Sequence, residues 1–204
     1  MRLGKTSFVY FITQAIISLS GFVATLFITN VMGSAVLGKY ATALAFLFWA
    51  MIPTMATSNA VNKRISEGVE QGSYLSAGII LNVAIALVGV FLVLIFEQRV
   101  NQQVGAEISL LVAGLFVVAV LKQTLNQSLK GQKRVAEVGV AGAIERAVRT
   151  GLQLGLVALV GYEIAGLFIG HVLSFVVAAT IAVGLTTVKP SLPRKRHFIS
   201  LLSY

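Results

Sequence analysis

Three charged side chains stand inside a strongly apolar part of this sequence. Glu145, Arg146 and Arg149 fall within residues 131–162, which read GQKRVAEVGVAGAIERAVRTGLQLGLVALVGY. Only 13 uncharged residues separate Arg149 from Glu163. That is about 20 Å of helix, whereas the core of a bilayer is roughly 30 Å thick. Either this stretch does not cross a membrane, or its charges enter one.

The spacing of these charges predicts a polar stripe on one helix. Glu145 and Arg149 are four residues apart and can compensate each other, while Arg146, Arg149 and Gln153 continue the stripe. One glutamate against two arginines leaves a positive excess, to which Lys122 of the preceding apolar segment could add. Such an excess favours an anion such as phosphate or pyrophosphate, which the planar guanidinium binds well. A structural salt bridge with arginines reaching the membrane surface is the alternative reading.

Other chemistries have little material in this chain. It contains no cysteine and no aspartate, seven glutamates, and two histidines, His171 and His197, far apart in sequence. Thiolate catalysis and cysteine-based metal sites are thus excluded, and carboxylate pairs are not evident. We predict no catalytic residue, no metal site, no cofactor and no enzyme activity. We interpret His171 as a hydrogen-bonded packing residue rather than a proton relay.

The composition predicts the elements that must position these residues. Hydrophobic residues make up 57% of the 204 residues and charged residues 11%, against about 25% charged in a soluble domain. We predict an all-α, polytopic membrane bundle over residues 1–188. Its six transmembrane helices cover about residues 7–31, 40–61, 74–96, 107–129, 138–161 and 164–188. A basic cytoplasmic tail, 189–204, follows and resembles the start of a truncated next helix.

Three further residues are candidates for the site. Gln14 lies on a polar face of the first span, which either packs against other helices or lines a cavity. Asn126 follows Lys122 by four residues in the polar lower half of the fourth span. Pro53 removes a backbone hydrogen bond in the second span, so we expect a kink and a hinge there.

The distribution of basic residues predicts the orientation. With six spans, two lysines and arginines lie on one side and eleven on the other, namely Arg2, Lys5, Lys63, Arg64, Lys130, Lys133, Arg134, Lys189, Arg194, Lys195 and Arg196. The positive-inside rule then makes both termini cytoplasmic in the cell membrane. A five-span alternative would place the basic tail outside, against this bias. Membrane orientation and anionic lipid explain the net charge of +9 better than nucleic acid does.

Four stretches of the sequence resemble a known family. The stretches that carry the resemblance are RLGKTSFVYFITQAIISLSGFVATLFITNVMG, SAVLGKYATALAF, NAVNKRISEG and LNQSLKGQKRVAEVGVAGAIERAVRTGLQLGLV. They resemble the N-terminal half of polysaccharide-biosynthesis membrane proteins, the Wzx-type flippases of the MOP (multidrug/oligosaccharidyl-lipid/polysaccharide) exporter superfamily. In that family two six-helix lobes enclose a cavity, and polyprenyl-linked sugars cross the membrane by alternating access.

The resemblance implies one MATE/MOP-like lobe that moves a lipid-linked oligosaccharide, on a polyprenol phosphate or pyrophosphate, for glycan biosynthesis. It implies membrane lipids and a second six-helix lobe or a homodimer partner, and no nucleic acid. Glu145, Arg146, Arg149, Gln153 and Lys122 would line its cavity. The alternatives are the lobe of a MATE-type drug or cation antiporter, a membrane-embedded transferase, and a non-transporting membrane assembly subunit.

Overall fold

The fold is a helical bundle without strands in the part of the chain that the structure describes. This computed structural model describes the backbone of residues 2–203 and the side chains of residue 8 and residues 11–203. The side chains of the basic leader, Arg2 and Lys5, lie outside the described residues. The helices are α1 (Arg2–Met32), α2 (Ser34–Ala50), α3 (Ile52–Ser66), α4 (Gln71–Ile95), α5 (Glu97–Val104), α6 (Ser109–Gly131), α7 (Val135–Ala158), α8 (Ile164–Leu185) and α9 (Lys195–Leu202).

The first two long helices are joined by a single residue. Gly33 has a φ of 86°, a left-handed backbone conformation that glycine adopts without a steric penalty. The chain reverses at this point, and α2 begins at Ser34. The second apolar segment is therefore helical from six residues before the predicted start of its span.

The α2 and α3 helices form one bent segment. Their axes differ by 51°, and the break lies at Met51, whose amide donates to the carbonyls of Leu47 and Phe48. Pro53 occupies the first turn of α3, where its missing amide proton costs no helical hydrogen bond. The amide of Met55 resumes the helical pattern by donating to the carbonyl of Met51 at 2.9 Å.

Two groups of helices build the bundle, and α6 and α8 join them. One group is α7 packed between α1 and α8, and the other is α6 packed against α3 and α4. A large apolar core contains Phe116, Leu115, Leu167 and Phe168, all at most 2% exposed. A smaller core surrounds Val61, Ile65 and Leu75 at the end of the bundle where α9 lies.

Buried polar contacts also tie the second group together. The side-chain nitrogen Nδ2 of Asn82 on α4 donates to Ser58 Oγ at 3.1 Å and to Thr124 Oγ1 at 2.8 Å. One turn away, Asn62 Nδ2 donates to Gln127 Oε1 at 3.1 Å. Such interhelical hydrogen bonds are typical of helices that associate in a membrane.

Several helices are long and apolar enough to cross a membrane. Among the described residues these are α1 over Phe11–Met32, α4, α6 and α8, and the bent pair of α2 and α3 would make a fifth span. The remaining long helix, α7, has 24 residues, about 36 Å of helix. It contains Glu145, Arg146 and Arg149, and these charges lower its mean hydropathy.

Candidate functional site

A buried ion pair joins α6 to α7 in the bundle interior. Lys122 Nζ lies 2.8 Å from Glu145 Oε2, and Arg149 Nε lies 3.6 Å from Glu145 Oε1. Glu145 and Arg149 are 6% and 8% exposed. The lysine also lies over the ring of Phe175 on α8, 3.7 Å from its centroid, a favourable cation–π arrangement. Glu145 is thus shared between two cations, one from its own helix and one from its neighbour.

Arg149 continues the network onto α8. One of its terminal nitrogens lies 2.5 Å from His171 Nε2. A guanidinium only donates hydrogen bonds, so Nε2 must accept, and the ring proton therefore sits on Nδ1. That nitrogen lies 2.7 Å from the hydroxyl oxygen of Tyr40 on α2 and donates to it. His171 is therefore neutral in this arrangement and links Arg149 of α7 to Tyr40 of α2.

Gln153 completes the network one turn beyond Arg149. Its Nε2 donates to the hydroxyl oxygen of Tyr40 and to the carbonyl of Leu167, each at 2.9 Å. The α8 helix reaches this side chain because residue 170 is glycine: a Cβ there would lie 3.0 Å from the Gln153 backbone nitrogen. Tyr40 accepts two hydrogen bonds, which leaves its own hydroxyl proton free to be donated.

Two cavities adjoin this network, and Arg149 lines both. The first, of about 330 Å³, lies between α1, α2 and α7 and is also lined by Arg146, Thr150, Gln153 and Tyr40. The second, of about 290 Å³, is lined by residues of α2, α3, α6 and α8, including Lys122, Gln123, His171 and Phe175.

Arg146 differs from Lys122 and Arg149 because one of its side-chain nitrogens has no hydrogen-bond acceptor. Its side chain is half-buried, and its Nε is buried without an acceptor. A buried donor without a partner costs roughly 1–3 kcal/mol, so this nitrogen favours an acceptor from a ligand or water. With Lys122, Arg146 and Arg149 against Glu145, three positive charges face one negative charge. The site is therefore suited to an anion.

The structure brings together most, but not all, of the residues singled out in the sequence. Lys122, Glu145, Arg149 and Gln153 share one network, and Arg146 lines the adjoining cavity.

Three of the other candidates lie outside the network. Asn126 is half-buried one turn from the lysine of α6, with its Oδ1 unpartnered. Gln14 is exposed on α1, and Pro53 is exposed beside the bend between α2 and α3.

The sequence indicates no role for Tyr40, and it predicts His171 to be a hydrogen-bonded packing residue without indicating its partners. Their contact joins residues 131 positions apart, and no spacing pattern signals it. The described residues contain no group of three or more histidine or acidic side chains that could hold a metal ion.

The fold defines the class of protein. It superposes on a MOP superfamily transporter from Pyrococcus furiosus with a TM-score of 0.79 over 96% of this chain and 49% of that one, at 15% identity. It also superposes on a MATE transporter in complex with MaD5, with a TM-score of 0.75 over 96% of this chain and 50% of that one, at 16% identity. The chain is therefore a multi-pass membrane protein with the fold of one half of a MATE/MOP-type transporter.

The sequence comparison finds relatives of this chain among proteins described as probable flippases. All of the chain matches the probable low-salt glycan biosynthesis flippase Agl15 of Haloferax volcanii, at 30% identity over 212 residues. It also matches the probable flippase AglR of the same organism, at 26% over 205 residues. The predicted resemblance to flippases of the MOP superfamily is confirmed. The chain spans less than half the length of these curated relatives, 43% of each, and no family model matches it.

Proposed function

We propose that this chain is one lobe of a flippase that moves a lipid-linked oligosaccharide across the cell membrane for glycan biosynthesis. The observation that carries the proposal is a positive excess in the bundle interior, where Lys122 and Arg149 contact a single glutamate and the half-buried Arg146 lines the adjoining cavity. Charges at membrane depth cost several kcal/mol and mark substrate pathways. A phosphate or pyrophosphate that links a glycan to a polyprenol would supply the missing negative charge.

The geometry around Arg146 and Arg149 suits such a ligand. The cavity of about 330 Å³ is large enough for a phosphate group but small for a glycan, since pockets for drug-sized ligands run from about 300 to 1,000 Å³. The glycan and the polyprenyl chain would therefore need room outside this lobe. We infer that a second six-helix lobe, or a second copy of this chain, faces the first and closes the transport cavity.

We further propose that six spans cross the membrane. They are α1, the bent pair α2–α3, α4, α6, α7 and α8. The case for α7 is its 24-residue length and its position between α1 and α8, against which it packs. Six spans place both termini on the cytoplasmic side under the positive-inside rule. A reporter that is active only in the cytoplasm, fused after Tyr204, tests this topology, and activity of an exported reporter there would refute it.

A drug or cation antiporter of the same fold fits the site less well. A cation would need a free acidic group in the interior, and Glu145 already contacts Lys122 and Arg149. A cation entering this site would therefore have to displace a lysine or an arginine from the carboxylate.

Direct binding tests the proposed substrate class. The purified chain should bind a polyprenyl phosphate more tightly than the uncharged polyprenol. Arg146→Gln should reduce that preference by about tenfold or more, because a hydrogen bond to a charged group contributes about 1.5–3 kcal/mol. The matched control is Arg99→Gln, which removes an exposed arginine of α5 that lines neither cavity. Equal binding of the phosphate and the alcohol by the unmodified chain would contradict the proposal.

A further inference from the structure

The segment that follows α8 is fixed to the end of the bundle. The amide of Ser191 donates to the carbonyl of Gly72 at 3.3 Å, and its hydroxyl lies 2.9 Å from Ser73 Oγ. Ser73 also donates to the carbonyl of Leu192 at 3.3 Å. This approach requires glycine at position 72, because a Cβ there would overlap the carbonyl oxygen of Lys189. Residues 186–194 therefore cross the start of α4 in one defined place.

The α9 helix is then held by a buried imidazole. His197 is 1% exposed, and its Nε2 lies 2.8 Å from Glu70 Oε2. Its Nδ1 accepts a hydrogen bond from the amide of Arg194 at 2.8 Å, which satisfies a donor at the helix N-terminus. Tyr74 packs edge-to-face on the ring at 4.8 Å, and Leu201 belongs to the smaller apolar core. These contacts fix which face of α9 points away from the bundle.

That outward face is apolar and basic. Lys195, Ile199 and Leu202 follow one another at intervals of four and three residues, which places them on one side of the helix. Ile199 is 56% and Leu202 69% exposed, and Leu192 just before the helix is 93% exposed. Clustered exposed apolar side chains mark an interaction surface.

Three of the four basic residues beside this surface lack an ion-pair partner among the described residues. Lys189, Arg194 and Lys195 form no ion pair in the part of the chain that the structure describes, whereas Arg196 pairs with Glu70. A groove of about 530 Å³ between this segment and α4 is lined mostly by apolar residues, among them Ile79, Ile80 and Leu192, together with two prolines and two serines. An apolar face flanked by lysine and arginine is typical of helices that lie in the interface of a membrane.

We propose that residues 189–202 form a docking surface for anionic phospholipids of the bilayer leaflet at this end of the bundle. The ends of α3 and α4, on which α9 rests, place the surface at the membrane boundary. The three unpaired basic residues, Lys189, Arg194 and Lys195, contact headgroup phosphates. The apolar side chains of Leu192, Ile199 and Leu202 enter the acyl region. Each such base changes the lipid-docking equilibrium by about fivefold, the equivalent of roughly 1 kcal/mol. The proposal is independent of which molecule the lobe helps to transport.

A polarity-sensitive fluorophore on one cysteine tests the docking, because the native chain contains no cysteine. The purified full chain, labelled at Ile199→Cys, is placed in nanodiscs of phosphatidylcholine alone or with 30% phosphatidylglycerol. We expect a blue shift in the anionic discs only. The same label in a chain that also carries Lys189→Gln, Arg194→Gln and Lys195→Gln should lose that dependence on lipid charge.

A second label position controls for general effects of the lipid. Leu159→Cys replaces an exposed leucine at the opposite end of the bundle, and its spectrum should not depend on lipid charge. Two results would overturn the proposal. A water-like spectrum at position 199 in both kinds of disc would show that the surface does not meet the bilayer. A shielded spectrum that is identical in both discs and in detergent would show that protein covers it.

Discussion

Replacing Glu145 by glutamine is the sharpest test of the buried network. The carboxylate contacts Lys122 at 2.8 Å and Arg149 at 3.6 Å, so Glu145→Gln would leave two buried cations without their counter-ion. Removing one partner of a buried ion pair costs about 3–5 kcal/mol. For a chain of this size each kcal/mol lowers the midpoint of thermal unfolding by roughly 2–4 °C. We therefore expect a decrease of roughly 6–20 °C for the protein in detergent.

A second substitution and a surface control complete this test. Adding Lys122→Met to Glu145→Gln removes one of the uncompensated charges and should restore about 0.5–3 kcal/mol, the usual coupling between residues in contact. Glu163→Gln is the matched control, because Glu163 is exposed and such substitutions stay within about 0.5 kcal/mol. If Glu145→Gln and Glu163→Gln lower the midpoint equally, water screens the interior charges and the network is not a buried one.

Three further perturbations probe the site and the C-terminal segment. Tyr40→Phe removes the acceptor of two buried donors and should cost about 1–3 kcal/mol, measured by thermal unfolding. A cysteine at position 146 should react with a polar thiol reagent in membranes, whereas one at Gln153, 3% exposed, should be protected. Glu70 has a pKa held below its usual value, first by a hydrogen bond from the adjacent imidazole. The ionised carboxylate of Glu70 therefore stabilises the packing of α9 on the bundle above the ordinary glutamate pKa, and this stabilisation is lost as the pH falls through the lowered pKa. A spin label at Ser203→Cys should become mobile only in that acidic range.

Each of these three expectations has a result that contradicts it. An unchanged unfolding midpoint for Tyr40→Phe would mean that water replaces the phenol. Equal reactivity at positions 146 and 153 would mean that water reaches both turns of this face of α7 equally. For the spin label, Glu70→Gln should raise the mobility already at neutral pH, and equal mobility of the two proteins there would separate α9 from Glu70.

The part of the site that lies on one helix could be predicted from the sequence. The four-residue spacing of Glu145 and Arg149 fixes their proximity, because helical geometry alone brings such side chains together. The contact of Lys122 with Glu145 depends on how α6 packs against α7, and the sequence indicated only that its charge could add to the same region. Gln14 shows the limit of this reasoning, since a polar stripe on α1 does not reveal which neighbour, if any, the stripe faces.

The contacts of α2 with α8 could not be predicted. Tyr40 stands at the head of an apolar run, where an aromatic residue is ordinary at a membrane interface. Its hydrogen bond to His171 exists because the chain turns at Gly33 and α2 then packs across the bundle. The same holds for Gly170, whose missing side chain admits Gln153. Close approaches of this kind depend on the three-dimensional path of the backbone and leave no local pattern.

The position of Arg149 between two cavities has a consequence for how ligands would influence one another. One guanidinium lines both spaces, so an anion that draws it towards one side weakens the attraction on the other. We expect occupancy of the two cavities to be negatively coupled, with each anion lowering the affinity for the other by the same factor, as linkage requires. His171 accepts a hydrogen bond from this guanidinium and would lose it whenever the Arg149 side chain moves away. The contacts between α2 and α8 would therefore depend on which cavity is filled.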